Sequence, residues 1–242
     1  MANNIELIQC VADGLSNLKD DVVFVGGSVA ELYARQPELS DIRPTIDVDC
    51  VVKIATYSEY THLEEKLRSI GFHNDTAIGA PLCRKIYKGI MVDIMPLNTD
   101  ILGFSNRWYK DGMENKITTR LPNGIEIFVF PVEYYIATKF EALNSRGGTD
   151  IRGSHDWEDI VYVMTNCPEL LEKIKQRKDV MFMEYMQEQF MLLLNNNNIR
   201  EIIYSALPYD SPDEMIDEVL AFMNDVVASG KEIHPESPSI KN

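Results

Sequence analysis

Two short polar motifs, each attached to an apolar run, constrain this chain more than any other feature of its sequence. The run Val22–Val25 stops abruptly at Gly26-Gly27-Ser28, and a second apolar run begins with Asp47-Val48-Asp49. Side chains alternate between the two faces of a strand, so Asp47 and Asp49 point the same way. Two carboxylates at that separation repel each other unless a cation lies between them. The second motif therefore indicates a cation site on a strand.

The Gly26-Gly27-Ser28 turn adds a second kind of binding group. Residues 28–34 have the pattern of a helix, with Ser28 as its predicted N-cap. Backbone N–H groups at the start of a helix are free to bind phosphate, and Mg²⁺ is typically held by one or two carboxylates together with substrate phosphates. Either motif alone is weak, because such turns often only join a strand to a helix. Together they predict a site for a metal-bound nucleoside triphosphate.

A third carboxylate, Asp93, lies in the otherwise apolar segment 91–95. A carboxylate within such a strand needs a partner, and a divalent cation would serve as one. A salt bridge to Arg84 or Lys85 is the alternative. Asp93 is therefore the candidate third ligand of the predicted metal site.

Composition limits the classes of partner. The chain has 242 residues, 45% hydrophobic and 25% charged, which suits an ordinary globular protein of one large or two small domains. No apolar run approaches the roughly 20 residues that span a bilayer, and the first residues lack the pattern of a signal peptide. We therefore expect a cytoplasmic protein without a membrane anchor.

The net charge of −15 argues against general, sequence-independent binding of nucleic acid.

The order of the periodic segments predicts an α/β (α+β) fold. Residues 1–130 form a predicted mixed α/β domain, residues 131–230 a helical domain and residues 231–242 a flexible tail. The predicted strands are 22–25, 46–54, 83–87, 90–95 and 125–130. The predicted helices are 5–18, 28–34, 58–70, 131–145, 155–165, 168–177, 180–195, 199–206 and 212–228.

The motifs in this order resemble the DNA-polymerase-β-type nucleotidyltransferase superfamily. Lys139-Phe140-Glu141-Ala142-Leu143, Arg152 and Asp156-Trp157-Glu158-Asp159-Ile160 are similar to segments of the AbiEii/AbiGii-type toxins within it. The resemblance covers about residues 20–165 and implies a nucleotidyltransferase-like mixed β-sheet with flanking helices, followed by a C-terminal helical bundle. It also implies transfer of a nucleoside monophosphate from an NTP to a hydroxyl acceptor.

The resemblance implies a role for each motif of the first half. Gly26, Gly27 and Ser28 would hold the β- and γ-phosphates. Asp47, Asp49 and Asp93 would bind two Mg²⁺ ions, and Asp93 would help to deprotonate the attacking hydroxyl. Two metal ions can stabilise both the attacking and the leaving oxygen of such a transfer, so the implied roles agree with the chemistry.

In the second half, the resemblance makes Lys139 and Arg152 positive contacts of the triphosphate. Asp156 would lie near the acceptor or the base, with Asp159 supporting the helix or the lysine. Lys139 as a helix-surface residue, and Asp156 as a first-turn residue favoured by the helix dipole, are the alternatives.

The sequence differs from the pattern of these toxins at two places, the loop between the first two motifs and the residue before Asp156. Eighteen residues separate Ser28 from Asp47, and the loop of residues 36–45 resembles an insertion that carries Arg43. His155 stands where these toxins often have lysine. The acceptor therefore stays open between tRNA, a small molecule and a protein. An antitoxin is a further expected partner, and the rival functions are an aminoglycoside-like small-molecule nucleotidyltransferase and a catalytically silent nucleotide-binding module.

Overall fold

The computed structural model describes residues 3–103, 106–146 and 150–229. Within these ranges the chain forms a seven-stranded sheet and ten α-helices. The strands are β1 (Val22–Val25), β2 (Asp47–Val52), β3 (His73–Asn74), β4 (Arg84–Tyr87), β5 (Ile90–Pro96), β6 (Ile117–Arg120) and β7 (Glu126–Val129). The helices are α1 (Asn4–Leu15), α2 (Tyr57–Ser69), α3 (Thr99–Leu102), α4 (Tyr109–Glu114), α5 (Val132–Ser145), α6 (His155–Asn166), α7 (Leu170–Lys175), α8 (Val180–Leu194), α9 (Ile199–Tyr204) and α10 (Asp213–Ser229).

The sheet is mixed, with the strand order β3-β4-β5-β2-β1-β7-β6. β2 pairs with β5 and β1 pairs with β7 in parallel, whereas the other neighbouring strands are antiparallel. The strand β1 is buried along its whole length, as expected for an unbroken apolar run covered on both faces. The two strands with the predicted motifs, β1 and β2, therefore lie side by side near the centre of the sheet.

The hairpin of β4 and β5 places Arg84 beside Asp93. Its two turn residues, Lys88 and Gly89, have φ values of 47° and 81°, which is the left-handed pair that a two-residue hairpin turn requires. The resulting register sets Arg84 directly across from Asp93. The predicted hairpin is confirmed.

The helices pack on the sheet and on one another around shared apolar side chains. α5 packs against α6, and α10 packs against α8. Trp157 on α6 is fully buried and donates a 2.8 Å hydrogen bond from Nε1 to the carbonyl oxygen of Ile202 on α9. The buried hydrophobic cluster includes residues of both the sheet and the helices. The division at residue 130 stays a prediction, and the predicted tail, 231–242, lies outside the described residues.

The predicted mixed sheet followed by helices is confirmed, but several elements differ from their predictions. The segment that follows β1 is a 3₁₀ helix, Gly27–Tyr33, whose N-cap is Gly26, so the prediction of Ser28 as N-cap was wrong. The first helix ends at Leu15 because Ser16 adopts a φ of 51°. The strands β3 and β6 and the helices α3 and α4 were not predicted. Among the described residues, every helix is too short or too polar to cross a bilayer.

Candidate metal and nucleotide site

Three carboxylates converge at the centre of the sheet. Asp49 on β2 lies directly across from Asp93 on β5, and Asp47 precedes Asp49 by two residues on the same strand. One oxygen from each carboxylate lies within 4.8 Å of the others. The strand alternation predicted from the sequence thus brings all three acids to one place. A set of carboxylate oxygens is the donor set that a hard cation such as Mg²⁺ takes.

The electrostatics of Asp49 indicate an excess of negative charge at this point. Burial raises its pKa, and the neighbouring carboxylates of Asp47 and Asp93 raise it further, to about 7, against a partial opposing effect of Lys139 and Arg146. Its ordinary value is 3.8. A cation beside Asp49 would offset the effects of burial and of the neighbouring carboxylates, because an opposite charge favours the charged carboxylate. The residues present therefore fit a divalent metal ion.

Asp93 also has a partner within the protein. The Arg84 guanidinium donates two parallel hydrogen bonds to it, from Nε to Oδ1 and from Nη2 to Oδ2, each 2.8 Å long. Arg84 Nη2 also lies 3.8 Å from Asp47 Oδ2. The salt bridge that was the alternative for Asp93 is thus present. Lys85 points to the other face of the sheet, where its Nζ lies 2.6 Å from Glu64 Oε1.

The glycine turn lies against the acids. Gly26 has a φ of 73°, and a Cβ placed on it would lie 1.9 Å from Asp49 Oδ2. A Cβ on Gly27 would lie 2.6 Å from Arg43 Nη2 and 3.2 Å from Asp159 Oδ2. Only glycine fits at these two positions without displacing a charged side chain. The turn therefore lies in contact with Asp49 and with the Arg43–Asp159 pair.

Ser28 is buried beside this turn. Its side-chain oxygen has no hydrogen-bond partner among the described residues, and the residue is 1% exposed. A buried hydroxyl without a partner is unfavourable. A bound polar group such as a phosphate oxygen would satisfy it, which agrees with the role that the resemblance implies for Ser28.

Lys139 on α5 lies in a buried ion cluster with two acids of α6. Its Nζ is 2.6 Å from Asp159 Oδ2 and 3.1 Å from Asp156 Oδ1. Burial lowers the pKa of Lys139, but Asp159 and Asp156 raise it by more, and Asp49 adds to the increase. The lysine is therefore held in its charged form. It acts on Asp49 through its field, while its hydrogen bonds go to the acids of α6.

Two arginines complete this cluster. Arg43, from the loop of residues 36–45, lies 3.1 Å from Asp159 Oδ2 and 3.5 Å from a carboxylate oxygen of Glu158. Arg146, at the end of α5, donates a 2.6 Å hydrogen bond to Asp156 Oδ2. Arg146 is not among the site residues predicted from the sequence. It follows Lys139 by seven residues, a spacing that places both side chains on one face of a helix.

Arg152, the predicted phosphate contact, does not pair with the acids of the Lys139 cluster. Its guanidinium binds the carboxylate of Asp150 through hydrogen bonds of 2.7 and 2.8 Å and lies 3.5 Å from Glu201. Within the described part of the chain, the arginine that reaches Asp156 is Arg146 and not Arg152. His155 is exposed and pairs with Glu158, 2.9 Å away.

A cavity of about 600 Å³ adjoins the cluster on the side of the loop of residues 36–45. Residues 39–44 form one wall, α6 forms a second and residues 205–211 form a third. Arg43 and Asp159, which contact the glycine turn, also line this cavity. Its volume lies in the range of small-molecule sites.

The mixed sheet, its flanking helices and the helical C-terminal region define a nucleotidyltransferase-like fold. No family model matches the chain, and no curated protein matches its sequence. Among solved structures, the chain is similar to a candidate nucleotidyltransferase from H. pylori, with a TM-score of 0.50. The similarity covers 96% of this chain and 97% of the other at 10% sequence identity. At that identity the likeness establishes the fold alone.

Proposed function

We propose that this protein is a Mg²⁺-dependent nucleotidyltransferase that transfers a nucleoside monophosphate from an NTP to a hydroxyl acceptor. The observation that carries the proposal is the convergence of Asp47, Asp49 and Asp93 within 4.8 Å, beside a glycine turn that contacts Asp49. A metal-bound triphosphate needs both parts, because carboxylates hold the metal and backbone N–H groups hold the phosphates.

The chain's own residues divide the work of such a transfer. Asp47, Asp49 and Asp93 would hold the metal, for which the family resemblance implies two Mg²⁺ ions. When bound, the metal supplies Lewis-acid stabilisation of the attacking and leaving oxygens. The Gly26-Gly27-Ser28 turn would position the β- and γ-phosphates. Little covalent chemistry is asked of the protein, so positioning and fixed charge account for most of the rate.

Lys139 contributes positive charge from inside the protein. Its ammonium is fixed by Asp156 and Asp159, so it cannot swing freely as a surface lysine would. It acts as a preorganised positive charge near Asp49 that costs no rearrangement during the reaction. Arg146 extends this field towards solvent, since 69% of its side chain is exposed.

The direct test is transfer of label from each of the four α-labelled NTPs to total RNA, to protein and to small acceptors, with Mg²⁺ present. Asp49→Asn removes a carboxylate of the metal site and should lower transfer about 100-fold or more. Asp225→Asn, at an exposed position of α10, makes the same chemical change away from the site and should leave transfer unchanged. Absence of transfer from every NTP in the unmodified protein would contradict the proposal.

The cavity beside Arg43 has the volume of a small-molecule site, but its lining does not include Asp47, Asp49 or Asp93. A small molecule is therefore one of the acceptors to be tested. A thermal-shift panel of hydroxyl-bearing compounds tests this, because only a ligand that binds the folded state stabilises it by mass action. Stabilisation that requires Mg²⁺ and an NTP together with the compound would identify the acceptor. If labelled tRNA forms instead, the resemblance to AbiEii/AbiGii-type toxins gains support.

The toxin hypothesis and its antitoxin partner rest on that resemblance alone. Induction of the chain in a bacterial host, beside the Asp49→Ala variant, provides the test. Growth arrest by the unmodified chain only would support a toxin, and equal growth would exclude it.

A catalytically silent nucleotide-binding module is the remaining candidate, because Arg84 occupies both oxygens of Asp93. Calorimetric binding of an NTP without pyrophosphate release in any acceptor mixture would favour it.

A further inference from the structure

We infer that Arg84 is an internal cation that competes with a divalent metal ion for Asp93. The site would then bind one ion readily through Asp47 and Asp49, and a second ion only when the Arg84 guanidinium is displaced. The inference rests on the proposed metal site and concerns how that site is loaded.

The first support is geometric. Arg84 and Asp93 face each other across an antiparallel pair, and both carboxylate oxygens accept hydrogen bonds from the guanidinium. Such a two-point pair is among the strongest that a carboxylate makes in a protein. A metal ion that binds Asp93 must therefore replace at least one of these hydrogen bonds.

The second support is the balance of charge. Three carboxylates and one guanidinium leave two negative charges when all are ionised, and one divalent ion balances them. A second divalent ion beside Arg84 would lie close to a like charge, which is unfavourable. Once Arg84 moves away, the three carboxylates face the two ions without that repulsion.

The third support is that the Arg84 guanidinium can move away from Asp93 and be solvated by water. Its side chain is 21% exposed, so the guanidinium has access to water. Lys139 differs in this respect, because its side chain is 8% exposed and two buried acids hold it. Of these two cations, Arg84 is bonded to a candidate metal ligand and is also able to move.

The experiment counts Mn²⁺ ions bound to the full chain, without nucleotide, by calorimetry and by electron paramagnetic resonance. The unmodified protein should bind one Mn²⁺ per chain with high affinity and a second weakly. Arg84→Gln should raise the affinity of the second site about tenfold or more, since it removes the competing charge. Arg120→Gln, on the exposed edge strand β6, changes the net charge equally and should bind as the unmodified chain does.

Arg84→Lys keeps the charge but loses the two-point pair, so its second-site affinity should fall between those of the unmodified chain and Arg84→Gln. This variant decides the question if Arg84→Gln fails to give a cooperative unfolding transition. Equal second-site affinities in the unmodified chain and in the variant measured would overturn the inference while leaving the metal site intact. Absence of Mn²⁺ binding in all of them would overturn the proposed function as well.

Discussion

Gly26 and Asp49 lie so close together that a methyl group on the glycine would be 1.9 Å from the aspartate Oδ2. The contact joins the end of β1 to the middle of the metal site, and it exists because β1 and β2 are neighbours with Val25 paired to Asp49. The glycine turn proposed to bind phosphate and the carboxylates are therefore held in one fixed arrangement by the sheet.

Gly26→Ala should displace the Asp49 carboxylate and weaken Mn²⁺ binding about tenfold or more, as expected for a disturbed metal ligand. Gly153→Ala separates this effect from backbone strain, because Gly153 has nearly the same φ, 74°, and no described residue has an atom within 4 Å of the added Cβ. Both variants should lose roughly 1–2 kcal/mol of unfolding free energy through the positive φ. Urea unfolding and calorimetry measure the two effects. Equal Mn²⁺ affinities in the two variants would contradict the role of the contact.

Lys139→Met should destabilise the protein by about 3–5 kcal/mol, because it leaves Asp156 and Asp159 buried without the lysine. Lys53→Met, at an exposed position, should change the unfolding free energy by less than about 0.5 kcal/mol. Adding Asp159→Asn to Lys139→Met removes one of the two carboxylates that lose the lysine and should restore part of the loss. Urea unfolding of the unmodified chain, Lys53→Met, Lys139→Met, Asp159→Asn and the double variant provides the comparison. Strictly additive effects of Lys139→Met and Asp159→Asn would argue against the buried cluster.

The stability of the metal-free protein should fall as the pH rises from about 4 to about 7. Asp49 binds its proton more tightly in the folded state, where its pKa is about 7, than in the unfolded state, where it is near its ordinary 3.8. The folded form therefore holds the extra proton throughout that window, and stability levels off above it. The total change is on the order of 2 kcal/mol, less than the full shift implies because Asp49 is partly exposed.

Unfolding in urea with a chelator, at pH 5, 6, 7 and 8, measures this slope. Asp49→Asn cannot titrate and should be more stable than the unmodified chain at pH 8. If the two proteins have parallel pH profiles, another group is responsible for the slope.

Arg146→Gln should weaken NTP binding about tenfold, whereas Arg152→Gln should have little effect. Arg146 is bonded to Asp156 within the cluster, and 69% of its side chain is exposed. Arg152 is bonded to Asp150 and lies near Glu201. Calorimetric titration with an NTP and Mg²⁺ compares the two variants at equal net charge. A larger loss for Arg152→Gln than for Arg146→Gln would support the phosphate contact predicted for Arg152 from the sequence.

The sequence predicted the features that depend on neighbouring residues. The apolar run of β1, the alternation of Asp47 and Asp49, and the Lys88-Gly89 turn are all local patterns, and the structure has each of them. The edge strand β6 was missed because most of its side chains are exposed and give no apolar alternation.

The features that the sequence left undecided, or did not reveal, depend on pairing between distant segments. The hydrogen bonds of Arg84 to Asp93 follow from the register of β4 against β5, which the alternation in one strand does not specify. The choice between Arg146 and Arg152 depends on where the chain turns after α5. The spacing of residues along the sequence does not by itself determine the partner of Asp93 or the arginine that pairs with Asp156.

The hydrogen bond from Trp157 to Ile202 has a consequence for shortened forms of the protein. It connects α6, which carries the two aspartates that pair with Lys139, to α9. A fragment that keeps the sheet but ends before α9 would lose this anchor, and the ammonium would no longer have firmly held anions around it. The C-terminal helices therefore help to hold the site together. Deleting them should disturb the ion cluster around Lys139 even though the three aspartates remain.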